Sequence, residues 1–227
     1  MFRSTSTTLT CACGTTFEAT IHQAVNVTLE PSLLYQLLAG RLNVFKCPNC
    51  GREAESAQPF VFHDMKRGLF AYVSPNTDAS EEERDQLLEQ LRQVYTRAVE
   101  ASEQMARRPA GETPPQPSVR RRTAFDELQA QIEPDAPPMQ VIFGVDRLIA
   151  LVESLLEPEE RLGRVLLTTR SSSPEERGRL VRIARQIADQ TACQVEIDDE
   201  PDLYTVTLYG PRARTEQISR VLRLPAQ

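Results

Sequence analysis

The chain has 227 residues, a net charge of −6 and no tryptophan, and 40% of its residues are apolar. That length suits one large domain or two small ones. No apolar run approaches the ~18 residues of a membrane span, residues 1–6 lack an apolar signal core, and a soluble cytoplasmic protein is expected.

Charge is unevenly placed: +1 over residues 1–77, −5 over 78–139 and −2 over 140–227. None of these segments has the strong basic excess of a nonspecific nucleic-acid binder. No P-loop, dinucleotide-binding glycine fingerprint or Gly-x-Ser-x-Gly elbow is present, so no catalytic constellation is expected.

In chain order, Leu9-Thr10-Cys11 and Thr15-Thr16-Phe17-Glu18-Ala19-Thr20-Ile21 read as strands. Phe17, Ala19 and Ile21 alternate with polar residues, as in a half-buried strand. Between them lies Cys11-Ala12-Cys13-Gly14. A helix is predicted to begin near Pro31, because proline suits the first helical position. Leu33, Leu34, Leu37 and Leu38 are its apolar stripe, and Gly40 ends it. The helix is expected to cover the cysteine-bearing domain, which is too small to build much core alone.

The short strand Leu42-Asn43-Val44-Phe45 leads into Lys46-Cys47-Pro48-Asn49-Cys50-Gly51-Arg52. Two cysteines here and two at Cys11 and Cys13 give the ligand count of a closed tetrahedral zinc site. Pro48 and Gly51 suit the tight turn that brings two sulfurs to one ion. Cys11, Cys13, Cys47 and Cys50 are therefore the expected metal ligands, with Zn²⁺ as a structural ion. Iron in a rubredoxin-like site is the chemical alternative, since four thiolates bind either metal. Disulfide or redox thiols are the third reading, weakened by the lack of a signal peptide.

These residues carry a resemblance. Cys11-x-Cys13-Gly14, Pro31, Gly40-x-Leu42-Asn43, Cys47-Pro48-x-Cys50-Gly51, His63-Asp64 and Pro75 resemble the CpXC domain, a bacterial family named for its cysteine motifs. The resemblance covers about residues 9–75. It implies a zinc-ribbon-like domain and no particular activity.

Phe60-Val61-Phe62-His63 and Leu69-Phe70-Ala71-Tyr72-Val73 read as a hairpin turning over residues 64–68. His63 and Asp64 form the most polar pair there. A fifth metal ligand, a partner to the ligands and a base are the functional readings of His63. A structural histidine at a hairpin end is the simpler one, since one His and one Asp make no mechanism.

A long helix starts near Asp78 or Ser80, with acidic residues in its first turn suiting the helix dipole. Leu87, Leu91, Val94, Ala98, Ala101 and Met105 form one stripe. Leu88, Leu91, Tyr95, Ala98 and Met105 form another. This broad face either packs on its own domain or joins a second copy in a homodimer through residues 80–107. Residues 109–138 hold seven prolines and read as a linker. Within it, Arg120-Arg121-Arg122 read as a solvated cluster, and Phe125, Leu128 and Ile132 suit a short docking helix.

The C-terminal part opens with the strand Val141-Ile142-Phe143 and a helix carrying Leu148, Leu151, Val152, Leu155 and Leu156. From residue 164 the order is β-α-β-β-α. Ser173-Pro174-Glu175-Glu176 signals a helix start, and Pro211 starts the last helix. Cys193 reads as a small buried apolar residue. Asp198-Asp199-Glu200-Pro201-Asp202 reads as a polar turn, since it lacks the spacing of a calcium loop.

The sequence thus predicts an α+β protein with four segments. Residues 1–77 form a zinc-ribbon-like domain, 78–108 a long helix and 109–138 a linker. Residues 139–227 form a small two-layer, ferredoxin-like α/β domain. Its expected role is an interaction or regulatory module binding a protein partner. A nucleic-acid adaptor is the alternative, against which the near-neutral first segment counts.

Overall fold

The computed structural model describes residues 4–106, 138–200 and 203–223; the side chains at 95, 98, 99 and 101–106 lie outside that description. The expected linker up to residue 137, Arg120-Arg121-Arg122 and the Phe125-Leu128-Ile132 helix also fall outside it, as do Pro201 and Asp202. The protein is a mixed α+β structure with several small sheets. Two compact units make it up. One comprises Met1–Leu29 and Asn43–Leu148, the other Glu30–Leu42 and Ile149–Gln227.

The first unit opens with an antiparallel hairpin of β1 (Ser4–Thr10) and β2 (Thr16–His22). Its inward side presents Ile21 and Ala19, both buried, while Ser6, Thr8, Thr10, Thr16, Glu18 and Thr20 face solvent. This is the period-two alternation of a strand pair with one wet face. A second small hairpin pairs β4 (Val44–Lys46) with β5 (Glu53–Glu55).

The main sheet of this unit has the order β3-β6-β7-β8. β3 (Ala24–Asn26) lies parallel to β6 (Phe60–Asp64), and β6 is antiparallel to β7 (Leu69–Ser74). A single 3₁₀ turn, Met65–Arg67, joins β6 to β7. β7 then pairs in parallel with β8 (Met139–Phe143). Val141-Ile142-Phe143, read in the sequence as the first strand of the C-terminal domain, therefore completes the sheet of the first unit. The reason lies in β7, where Leu69, Phe70, Ala71, Tyr72 and Val73 are all buried. A strand buried on both faces belongs inside a sheet, and β8 supplies its second neighbour.

α2 (Glu81–Ala106) packs on this sheet. Its N-terminus is a reciprocal capping box: the Glu83 backbone N–H donates to Ser80 Oγ at 3.2 Å, and the Ser80 N–H donates to Glu83 Oε2 at 2.8 Å. Leu91 is only 1% exposed and clusters with Val61, Phe70 and Tyr72, with Leu87, Val94, Met139 and Val141 packed around them. Leu88, from the other predicted stripe, is 43% exposed. Of the two stripes, the one running through Leu87, Leu91 and Val94 meets the sheet.

The second unit is built on a three-stranded antiparallel sheet, β10-β11-β9. Its C-terminal order is β9 (Leu162–Thr169), α4 (Pro174–Thr191), β10 (Gln194–Asp199), β11 (Tyr204–Pro211) and α5 (Arg212–Leu222). Before it comes α3 (Val145–Leu155), the helix within which one unit gives way to the other. The core joins Val165, Val206 and Leu208 from the strands to Ala184, Ala188 and Ile218 from the helices. Cys193, 5% exposed, is part of this core. α4 starts at Pro174 as predicted, but the Ser173 side chain does not cap it. Instead Ser171 Oγ accepts from the Ser173 N–H at 3.2 Å, and Arg177 donates to the Ser171 carbonyl at 2.9 Å.

α1 (Pro31–Leu38) belongs to this second unit, not to the cysteine hairpins that it was expected to cover. It lies against β10 and β11. Leu33, Leu34, Tyr35, Leu37 and Leu38 are all buried, too wide an apolar face for a two-stranded ribbon to cover. The Tyr35 hydroxyl donates to the Glu160 carbonyl at 3.0 Å, and Arg41 pairs with Glu196 on β10. Among the described residues, no helix is long and apolar enough to cross a membrane.

Candidate metal centre

The two hairpins of the first unit carry the cysteines at their tips. At the first tip, the Cys11 N–H donates to the Thr15 carbonyl and the Gly14 N–H to the Cys11 carbonyl, each at 2.9 Å. At the second, the Cys47 N–H donates to the Arg52 carbonyl at 2.8 Å and the Gly51 N–H to the Cys47 carbonyl at 2.9 Å. The two turns are built alike. In each, the residue after the second cysteine is a left-handed glycine, Gly14 at φ +86° and Gly51 at φ +69°. That conformation strains a residue bearing a Cβ.

The four sulfurs converge. All four Sγ atoms lie within 4.8 Å of one another. Two short contacts run between the tips: Cys11 to Cys50 at 3.6 Å and Cys13 to Cys47 at 3.7 Å. Four sulfurs about 2.3 Å from one ion in a tetrahedron stand about 3.8 Å apart. The arrangement therefore fits a four-thiolate metal site, and these residues can hold a metal ion. Cys47 is buried, Cys11 half-buried, and Cys13 and Cys50 are exposed.

The local groups favour thiolate at some positions and oppose it at others. The Thr15 hydroxyl, 3.3 Å from Cys13 Sγ, and the Thr15 N–H lower Cys13 to about 6. The N–H of Cys50, and then that of Asn49, lower Cys47 despite its burial. At Cys50 the Arg52 N–H favours the thiolate, but partial desolvation and the three neighbouring sulfurs outweigh it and push Cys50 up to about 11. Four negative sulfurs at this spacing repel one another, and a divalent cation among them removes that conflict.

What aligns the two tips is a residue that the sequence reading used only as part of a motif. Asn43, 8% exposed, precedes β4 in a left-handed conformation, φ +57°. Its Oδ1 accepts from the His22 N–H at 2.8 Å and its Nδ2 donates to the His22 carbonyl at 3.0 Å. The side chain thus imitates one rung of a β-ladder at the end of β2. Its own carbonyl accepts from the Ser56 N–H at 3.0 Å, just past β5. Asn43 thus joins two hairpins that share no sheet. Its signal was the Asn itself, which tolerates positive φ and bonds backbone with its side chain.

His63 and Asp64 lie outside the cysteine group. Asp64 is 1% exposed; its Oδ1 accepts from the Arg67 N–H at 3.3 Å and its Oδ2 takes the Arg67 guanidinium at 2.6 Å. It caps the 3₁₀ turn. His63 Nδ1 lies 3.4 Å from Asn26 Nδ2, and its ring meets Phe70 edge-on at 5.4 Å. The pair fixes a hairpin end.

A family model described as CpXC protein matches residues 9–133. The match extends well past residue 75, where the resemblance in the sequence ends, and takes in β6, β7 and all of α2. Neither a curated protein nor a solved structure matches the chain. With its motif cysteines gathered at one point and more than half its length matched, the chain belongs to the CpXC family.

Proposed function

We propose that Cys11, Cys13, Cys47 and Cys50 hold a structural zinc ion, and that the chain works as an interaction or regulatory module for a protein partner. The observation that carries this reading is the approach of four sulfurs from two separate hairpin tips at near-tetrahedral spacing. Four thiolates close the coordination shell and leave no position for a substrate, which favours a structural over a catalytic ion. Each hairpin has little core of its own. The ion therefore contributes folding free energy by tying them together.

Metal analysis of the purified full chain, with Cys→Ser variants at each of the four positions, tests this. The reading expects one zinc per chain, lost in each variant together with ordered structure around β1, β2, β4 and β5. Iron in place of zinc, visible as a red protein, would move the reading to electron transfer. Zinc kept by any single variant would point to an open site. Capture of partners by the zinc-loaded chain, compared with the metal-free chain, tests the interaction role.

A further inference from the structure

The four cysteines differ in burial. Cys47 is buried and Cys11 half-buried, but Cys13 and Cys50 are exposed. Each exposed cysteine has a short sulfur contact to the opposite hairpin tip. Cys50 faces Cys11 at 3.6 Å, and Cys13 faces Cys47 at 3.7 Å. Each of these two contacts thus joins an exposed cysteine to a less exposed one.

We infer that the metal centre is a thiol-oxidation site, at which hydrogen peroxide closes the cross-tip disulfides Cys11–Cys50 and Cys13–Cys47 and releases the ion. This rests on the reading of the four cysteines as zinc ligands. The thiolate of Cys50 or Cys13 attacks one peroxide oxygen, the O–O bond breaks, and hydroxide leaves. The resulting sulfenic acid is displaced by the partner thiolate, expelling a second hydroxide and forming the S–S bond. Two thiolates lose two electrons, and one peroxide with two protons becomes two waters. The second pair repeats the sequence with a second peroxide. Zinc has no redox chemistry of its own and leaves when its anionic ligands are consumed.

The pairing is specific to this geometry. Within each tip the backbone closes its own turn, through Gly14 N–H to the Cys11 carbonyl and Gly51 N–H to the Cys47 carbonyl. The two sulfur–sulfur contacts of 3.6 and 3.7 Å both run between the tips. Cys193 offers an internal reference, because it sits in the core of the second unit, 5% exposed.

The test uses the full zinc-loaded chain. Its zinc content is measured first, hydrogen peroxide is added, and released zinc is followed with a chromogenic chelator. Disulfides are then mapped by peptide mass spectrometry without reduction. The expected result is stoichiometric zinc release with Cys11–Cys50 and Cys13–Cys47 linkages and Cys193 still a thiol. Treatment with a dithiol and added zinc restores the starting state. Zinc retained at peroxide levels that oxidise a small free thiol completely overturns the proposal. So do linkages within a tip, Cys11–Cys13 or Cys47–Cys50. Absence of zinc before peroxide is added overturns the underlying metal reading and ion release with it.

Discussion

The side-chain amide of Asn43 spans the backbone of His22, accepting from its N–H at 2.8 Å and donating to its carbonyl at 3.0 Å. One side chain thereby joins the strand that ends one cysteine hairpin to the strand that begins the other. A metal ion held by the four cysteines would tie the tips, and Asn43 ties the bases.

Asn43→Ala is expected to remove both bonds and leave a Cβ-bearing residue at φ +57° without its compensation. The cost is about 2–3 kcal/mol, from two part-buried hydrogen bonds and a strained backbone. Asn43→Gly relieves the strain and loses less. Urea denaturation of the three proteins gives this order, and competition with a chelator should show weaker metal binding in both variants. An Asn43→Ala protein as stable as the parent would remove Asn43 from the account.

The face that α2 presents to the sheet can be read by truncation. Leu91→Ala empties a site 1% exposed among Val61, Phe70 and Tyr72, and is expected to cost about 2–5 kcal/mol. Leu88→Ala, at a position 43% exposed, is expected to change folding stability by less than about 0.5 kcal/mol. Equal losses in thermal unfolding would contradict the assignment of faces.

In the second unit the tightest approach is at Gly163. A Cβ there would stand 2.0 Å from Thr215 Oγ1 and 2.9 Å from the Arg212 Cα. The first clash can be relieved by turning a side chain, but the second is with backbone. Gly163→Ala is therefore expected to destabilise the unit by about 1–3 kcal/mol. Circular dichroism melting measures it, and no change in melting temperature would mean that α5 sits further from β9.

Much of this was legible in the sequence because the signals are local. Cysteines two or three residues apart with a following glycine announce a turn, and both turns form at Gly14 and Gly51. The Phe60-to-Val73 hairpin shows through its run of apolar residues. What the sequence hid is non-local. β8 finds β7 across more than sixty residues of chain, and nothing in Met139–Phe143 names its neighbour. α1 has an apolar face but no label for the surface that it covers. β5, Glu53–Glu55, is exposed throughout and has no alternation to read. Asn43 does its bonding with a side chain, which strand patterns do not register.

Tyr72 links the first unit's core to pH. It is 2% exposed, and burial pushes its phenol from 10.0 up to about 12. A raised folded value favours the neutral form, so its contribution is fully present below pH 10 and is lost as pH rises toward 12. Phenolate absorbance and ellipticity should then change together in alkaline titration. Tyr72→Phe should shift the unfolding to higher pH. A phenolate signal from Tyr72 that precedes unfolding would contradict its burial.

The central claim is a closed four-thiolate metal site made by two hairpin tips, and X-ray absorption at the zinc edge of the full chain tests it most directly. The account predicts a single shell of four sulfurs at about 2.3 Å. Three or fewer sulfurs, or nitrogen or oxygen ligands at about 2.0–2.1 Å, would contradict it.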